Sequence, residues 1–227
     1  MTRYAEVTVL HRRSFLSGLG ASAVVTLSPR LFAADERVIA IQPLGKLLPE
    51  ADVDLVKRAL AAFYVVKVTV LPRAELPKRA YYKKRRRYRA EKLLDFLQQK
   101  KPDGAHRILG LTGVDISTTK GKIPDWGILG LASMDGTQCV LSEFRCKRRA
   151  KNKEHVRIRL GKVAVHEIGH TFGLPHCPNR GCLMEDGHGT VFTTDREYDL
   201  CVDCRQKLIR AGYELADGDP PWPKPEK

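Results

Sequence analysis

A chain of 227 residues is long enough for one domain with its own core, and no segment is long and apolar enough to favour a membrane span. The formal net charge is +14, but eight of the positive charges fall in the acid-free run KRAYYKKRRRYR, Lys78 to Arg89. The charge therefore describes one patch, which excludes a uniformly basic surface.

In chain order, the first element is a removable end. Arg12-Arg13 directly precedes a modestly apolar run, Phe15 to Leu27, and small residues follow at Ala33-Ala34. This order reads as a twin-arginine export signal over residues 1–34, with the mature protein periplasmic or extracellular. A short N-terminal helix, or a start codon placed too early in a cytoplasmic protein, are the alternatives. RVIAIQPL (37–44) then reads as a buried strand. EADVDLVKRALAAF (50–63) reads as a helix burying Val53, Val56 and Leu60, and YVVKVTVL (64–71) as an alternating strand. A second helix at about 88–100 buries Leu93, Leu94 and Leu97, and RILGLTGVD (107–115) is a third strand. The order β-α-β-α-β predicts an α/β domain with a parallel sheet and crossover helices. WGILGLAS (126–133) and TQCVLS (137–142), joined at Asp135-Gly136, read as a hairpin added to that sheet. Lys147 to Lys153 is a basic connector, a helix starts near Gly161, and a last helix spans about 200–211. The domain is placed at 35–212, and the Pro-rich tail 213–227 is expected to be disordered.

The chemistry lies in HEIGHTFGLPHCPNRGCLM, His166 to Met184. His166 and His170 stand four apart, so on a helix both imidazoles project from one face as a zinc chelate. Glu167, about 100° around the helix, is positioned to act as general base on a water held at the metal's open position. Gly173 ends the helix and Pro175 cannot continue it, which turns His176 back as the third ligand. The competing reading is a buried helix with incidental histidines. HExxH alone recurs by chance, whereas HExxHxxGxxH has a mechanical reason at each fixed position.

Cys177 and Cys182, with Cys201 and Cys204 in a CxxC, match the spacing of a closed four-thiolate zinc clamp that anchors the loop bearing His176. A redox CxxC, two disulfides in an exported protein and a nucleic-acid-binding zinc ribbon are the alternatives. Cys139 and Cys146 read as buried or free thiols, with a disulfide between them as the alternative. His188 reads as a solvated loop residue.

The joined pattern His166-Glu167-x-x-His170-x-x-Gly173-x-x-His176-Cys177-x4-Cys182-x-Met184, then Cys201-x-x-Cys204, resembles the archaemetzincin signature of the metzincin-clan zinc peptidases. The similarity extends from about Arg37 to Gly212. It implies a single α/β domain with a mixed twisted sheet and an active-site helix beneath a cleft. It assigns a catalytic zinc to His166, His170 and His176, and the general base to Glu167. It also assigns a structural zinc to Cys177, Cys182, Cys201 and Cys204, and the Met-turn to Met184. The implied function is a zinc-dependent metallopeptidase with two zinc ions per chain, acting as a monomer on a peptide or protein substrate. The strand at Thr137 to Ser142 would border the cleft and pair with extended substrate. A binding module with vestigial catalysis, contacting nucleic acid or an acidic surface through Lys78–Arg89, is the competing class; a solvated patch is the default reading of that run.

Overall fold

The computed structural model describes residues 37–224; the expected export signal at 1–34 lies outside them. The strands are β1 (Val38–Leu44), β2 (Lys67–Val70), β3 (Tyr81–Tyr82), β4 (Arg87–Arg89), β5 (Arg107–Thr112), β6 (Ile116–Lys120), β7 (Ile123–Ile128), β8 (Gly130–Ala132) and β9 (Gln138–Ser142). The helices are α1 (Glu50–Phe63), α2 (Ala90–Lys100), α3 (Glu143–Cys146), α4 (Lys153–Thr171) and α5 (Val202–Arg210). The main sheet has the order β2-β1-β5-β9-β8. Its first four strands are parallel, and β8 runs antiparallel to β9. A second sheet, β3-β4-β6-β7, is mixed. The expected mixed α/β domain is present.

The strand period of two sorts the main sheet into two faces. Ile39, Ile41, Leu109, Leu111, Cys139 and Leu141 join the core of α1 and α4, among them Val53, Val56, Leu60, Leu160, Ala164 and Ile168. The intervening Ala40, Ile108 and Val140 join Leu93 and Leu97 of α2 on the other side. Leu94 is only half-buried. Cys139 and Cys146 are buried free thiols.

Three expectations are corrected. The hairpin arm expected over 126–133 is divided: β7 belongs to the second sheet, and only β8 pairs with β9. Consequently β8, not the Thr137–Ser142 strand, is the edge, because β9 lies between β5 and β8. The helix expected from Gly161 begins at Lys153, capped by the Asn152 side chain, which accepts from the His155 backbone N–H at 2.8 Å. Its polar first half has buried work: Arg159 is 1% exposed, gives two 2.7 Å bonds to the Asp195 carboxylate, and donates to the carbonyls of Cys146 and Arg148.

The tail is also packed where it is described. Leu215 bridges Tyr64, and Trp222 is buried, stacked on Phe63 at a centroid distance of 5.3 Å. The Trp222 indole N–H donates to the Tyr198 carbonyl at 2.9 Å. Trp222→Ala should lower the unfolding free energy by about 3 kcal/mol, as for other buried aromatic truncations, in a urea titration. An undocked tail would leave the midpoint unchanged.

Candidate metal centre and cleft

Helix α4 carries His166, Glu167 and His170 and ends at Thr171, with Phe172 as its C-cap. Gly173 has φ +88°, the left-handed region that glycine enters without penalty. The Leu174 N–H donates to the Gly169 carbonyl and the Gly173 N–H to the His170 carbonyl, both at 3.0 Å, which is a Schellman ending. The turn returns His176 to the histidine pair. The ring centroids of His166, His170 and His176 lie 4.5–5.4 Å apart, and one ring nitrogen from each falls within 4.8 Å of the others.

Two backbone carbonyls orient the first pair. His166 Nδ1 donates to Leu183 O and His170 Nδ1 to Leu174 O, each at 2.6 Å. That fixes the tautomer and leaves a lone pair on each Nε2. These two Nε2 atoms face each other at 3.0 Å. Two lone pairs at that distance repel unless a cation lies against both. Tetrahedral zinc places neighbouring nitrogen ligands about 3.3 Å apart, so the pair fits that ion. Burial and then His170 push the His166 pKa down to about 3, and burial lowers that of His170, so both imidazoles are held in the neutral, ligating form. His176 is more exposed, with Nδ1 3.8 Å from Asp186 Oδ2.

Glu167 is buried, and desolvation raises its pKa to about 8. Its carboxylate lies against β8, where a Cβ on Gly130 would collide with Oε1. Only glycine leaves room for the carboxylate at that point of the edge strand. Met184 is fully buried, its sulfur against the bare Cα of Gly169 between the two α4 histidines.

The four cysteines form a second cluster. Their Sγ atoms all lie within 4.8 Å, with Cys177–Cys201 at 3.7 Å and Cys182–Cys204 at 3.8 Å. A tetrahedron of thiolates around zinc has an edge of about 3.8 Å, and a disulfide spans about 2 Å, so the distances fit the clamp and not paired disulfides. N–H donors face the sulfurs: Asn179 N on Cys177 at 3.4 Å, Met184 N on Cys182 at 3.5 Å, Cys201 N on Cys182 at 3.4 Å, and Asn179 Nδ2 on Cys201 at 3.4 Å.

The histidines open into a cleft of about 410 Å³ lined by β7, β8, the 118–120 end of β6 and the 186–191 segment. Its lining includes Trp126, Ile128, Leu131, Lys120, Arg145 and Arg148. His188 is exposed and lies outside the triad, 3.3 Å from Asp186. All seven expected ligand residues, Glu167 and Met184 are thus brought to two adjoining clusters. Sequence reading missed Gly130, Asp186, Asn179 and the carbonyls of Leu174 and Leu183. The carbonyls have no side-chain signature, whereas a glycine opening the edge strand beside HExxH is a usable signal.

The sequence model of Peptidase family M54 matches residues 51–210. An archaemetzincin of Methanocaldococcus jannaschii is 29% identical over 182 residues, covering 78% of this chain and 96% of the relative. The crystal structure of archaemetzincin from Methanopyrus kandleri superposes with a TM-score of 0.70 at 31% identity, covering 80% of this chain and 98% of the other. That from Archaeoglobus fulgidus, complexed with malonate, gives 0.64 at 33% identity, covering 75% and 99%. The chain belongs to peptidase family M54, the archaemetzincins, and is a zinc metallopeptidase.

Proposed function

We propose that His166, His170 and His176 hold the catalytic zinc and Glu167 is the general base for peptide-bond hydrolysis, while Cys177, Cys182, Cys201 and Cys204 hold a second, structural zinc. The observation that carries the reading is the 3.0 Å approach of two Nε2 lone pairs whose Nδ1 protons are already committed to carbonyls. Bound zinc supplies Lewis acidity and makes water acidic enough to lose a proton near neutral pH. Glu167, held beside the ligands by Gly130, accepts that proton and returns it to the leaving amine. The open edge of β8 offers backbone groups to an extended substrate, which pairs there as an added strand. Loss of the proton acceptor in Glu167→Gln should reduce kcat at least about 100-fold with zinc content unchanged. Gly130→Ala should reduce kcat similarly by displacing the carboxylate. Unaltered peptide turnover in Glu167→Gln overturns the assignment.

Two zinc ions per chain are expected by elemental analysis. Cys201→Ser/Cys204→Ser should retain about one and lose thermal stability, since metal binding to the folded state contributes folding free energy. A constant count of two defeats the four-cysteine assignment.

The twin-arginine sequence supports export as part of the same proposal. Arg12→Lys/Arg13→Lys should leave the precursor in the cytoplasm when cell fractions are probed with antibody; equal delivery of mature protein would remove that element.

A further inference from the structure

The basic run contains more than a solvated patch, because its inward half is tied to the cleft. Asp115 accepts from Arg87 Nε at 2.7 Å and is held by Arg145 through Nε at 2.8 Å and Nη2 at 3.1 Å. Asp125 accepts from Arg87 Nη1 at 3.1 Å and lies 3.7 Å from Arg85 Nε. Three guanidinium groups therefore share two carboxylates, leaving a positive charge in excess. The geometry shows where that excess emerges. Arg145 lines the cleft, flat against β7, where a Cβ on Gly127 would collide with Nη2 and lie 2.7 Å from Nη1. Its Nη1 has no partner among the described residues. The Asp115 bridge fixes the plane of the fork, so little rotamer entropy remains to be lost when a ligand is bound.

Two more cations line the same cleft without an ion pair among the described residues. Lys120 lies over the Trp126 ring at 5.5 Å and Arg148 over Phe192 at 6.0 Å. The acidic lining residues are Glu167, beside the histidines, and Asp186, which faces His176 and His188 and also feels the charge of Lys120 without an ion-pair contact to it. The rest of the wall is largely apolar, including Trp126, Ile128 and Leu131.

Resting on the peptidase reading, we propose that Arg145, assisted by Lys120 and Arg148, binds a carboxylate of the substrate, making acidic peptides the preferred class. Gly127 touches Arg145 and Gly130 touches Glu167. Three residues of chain span at most about 11 Å, so the recognised carboxylate lies within about three residues of the cleaved bond. The shared chemistry admits an Asp or Glu side chain or the substrate's own C-terminal carboxylate.

The test uses zinc-loaded enzyme and quenched peptides with Glu, Gln or Lys walked through three positions on each side of the cleaved bond. A matched pair ends in a free carboxylate or an amide and separates the two sources. At one position, or at the free carboxylate, kcat/KM should exceed the neutral isostere by about tenfold, mainly through KM, the scale of a charge-assisted hydrogen bond. Arg145→Gln should abolish the preference, so that the Glu and Gln peptides are cleaved with equal kcat/KM whatever their common rate. A merely structural Arg145 would instead shift all peptides together. Should Arg145→Gln fail to fold, Lys120→Gln/Arg148→Gln carries the test, with a preference reduced by at least half. Binding of the same peptides to zinc-loaded Glu167→Gln, followed through Trp126 fluorescence, reads recognition without turnover. Equal cleavage and equal binding of Glu and Gln peptides, or a preference surviving Arg145→Gln, overturns the proposal. If no peptide is cleaved, the peptidase reading fails separately, and the fluorescence titration alone decides recognition.

Discussion

Two hydrogen bonds from histidine to backbone govern the site. Leu174 O and Leu183 O take the Nδ1 protons of His170 and His166, and both carbonyls belong to one short loop. The same loop carries His176, Met184 and two of the four clustered cysteines. Cys177 N donates to Met184 O at 2.7 Å, closing the loop on itself, and Cys201 and Cys204 close it from α5. The sulfur cluster therefore acts on the histidines through main-chain atoms. A loop free to shift by about 1 Å would release the tautomers and lose the convergence of the three rings. Outer hydrogen bonds of this kind set the orientation of metal-binding histidines generally.

Helix α4 supports the opposite lip of the cleft by different means. Arg159 binds Asp195, and Lys162 donates to the carbonyls of Thr194 and Glu197 at 2.8 and 2.6 Å. Both cations are nearly fully buried, and their partners lie just beyond the 186–191 segment that lines the cleft. Removing one partner of such a pair leaves an uncompensated charge, at a cost of about 3–5 kcal/mol. The helix thus fixes both histidines and the segment facing them from one rigid axis. Gly130 completes the frame by letting the edge strand approach the same helix at Glu167.

The site was legible because its residues are chemically rare and their spacing has a geometric reason. His166, His170, Gly173 and the two cysteine pairs each imply a position relative to the next. The fold was legible where period and length agreed, as in β1, α1 and β5. It was misread where a polar sequence is buried by distant partners. Lys153 to Arg159 shows no apolar period ahead of the helix expected from Gly161, because Arg159 is buried through Asp195, 36 residues away. Gly130–Ala132 is a three-residue strand inside the longer run WGILGLAS, so its place at the edge, outside Gln138–Ser142, follows only from the order of the sheet. The Pro-rich tail carries no period of its own, so nothing local in it shows that Trp222 packs on Phe63.

The basic run illustrates how charge counted along a sequence differs from charge available to a partner. Arg87 spans two aspartates from residues 115 and 125, Arg85 reaches the second, and Arg89 reaches Glu91 at 3.0 Å. Arg87 and Arg89 bind β4 and its neighbours together and are withdrawn from an outward polyanion-binding surface, whereas Arg85 stays largely exposed. Lys78, Arg79, Lys83, Lys84 and Arg86 remain outside those pairs, on a turn at the far side of the second sheet from β7. A binding module would have to work through that smaller set. The inward set acts through Asp115 on Arg145, and so places the influence of a surface run at the wall of the catalytic cleft. That connection favours one enzyme with a charged recognition wall over a separate binding face beside an idle centre.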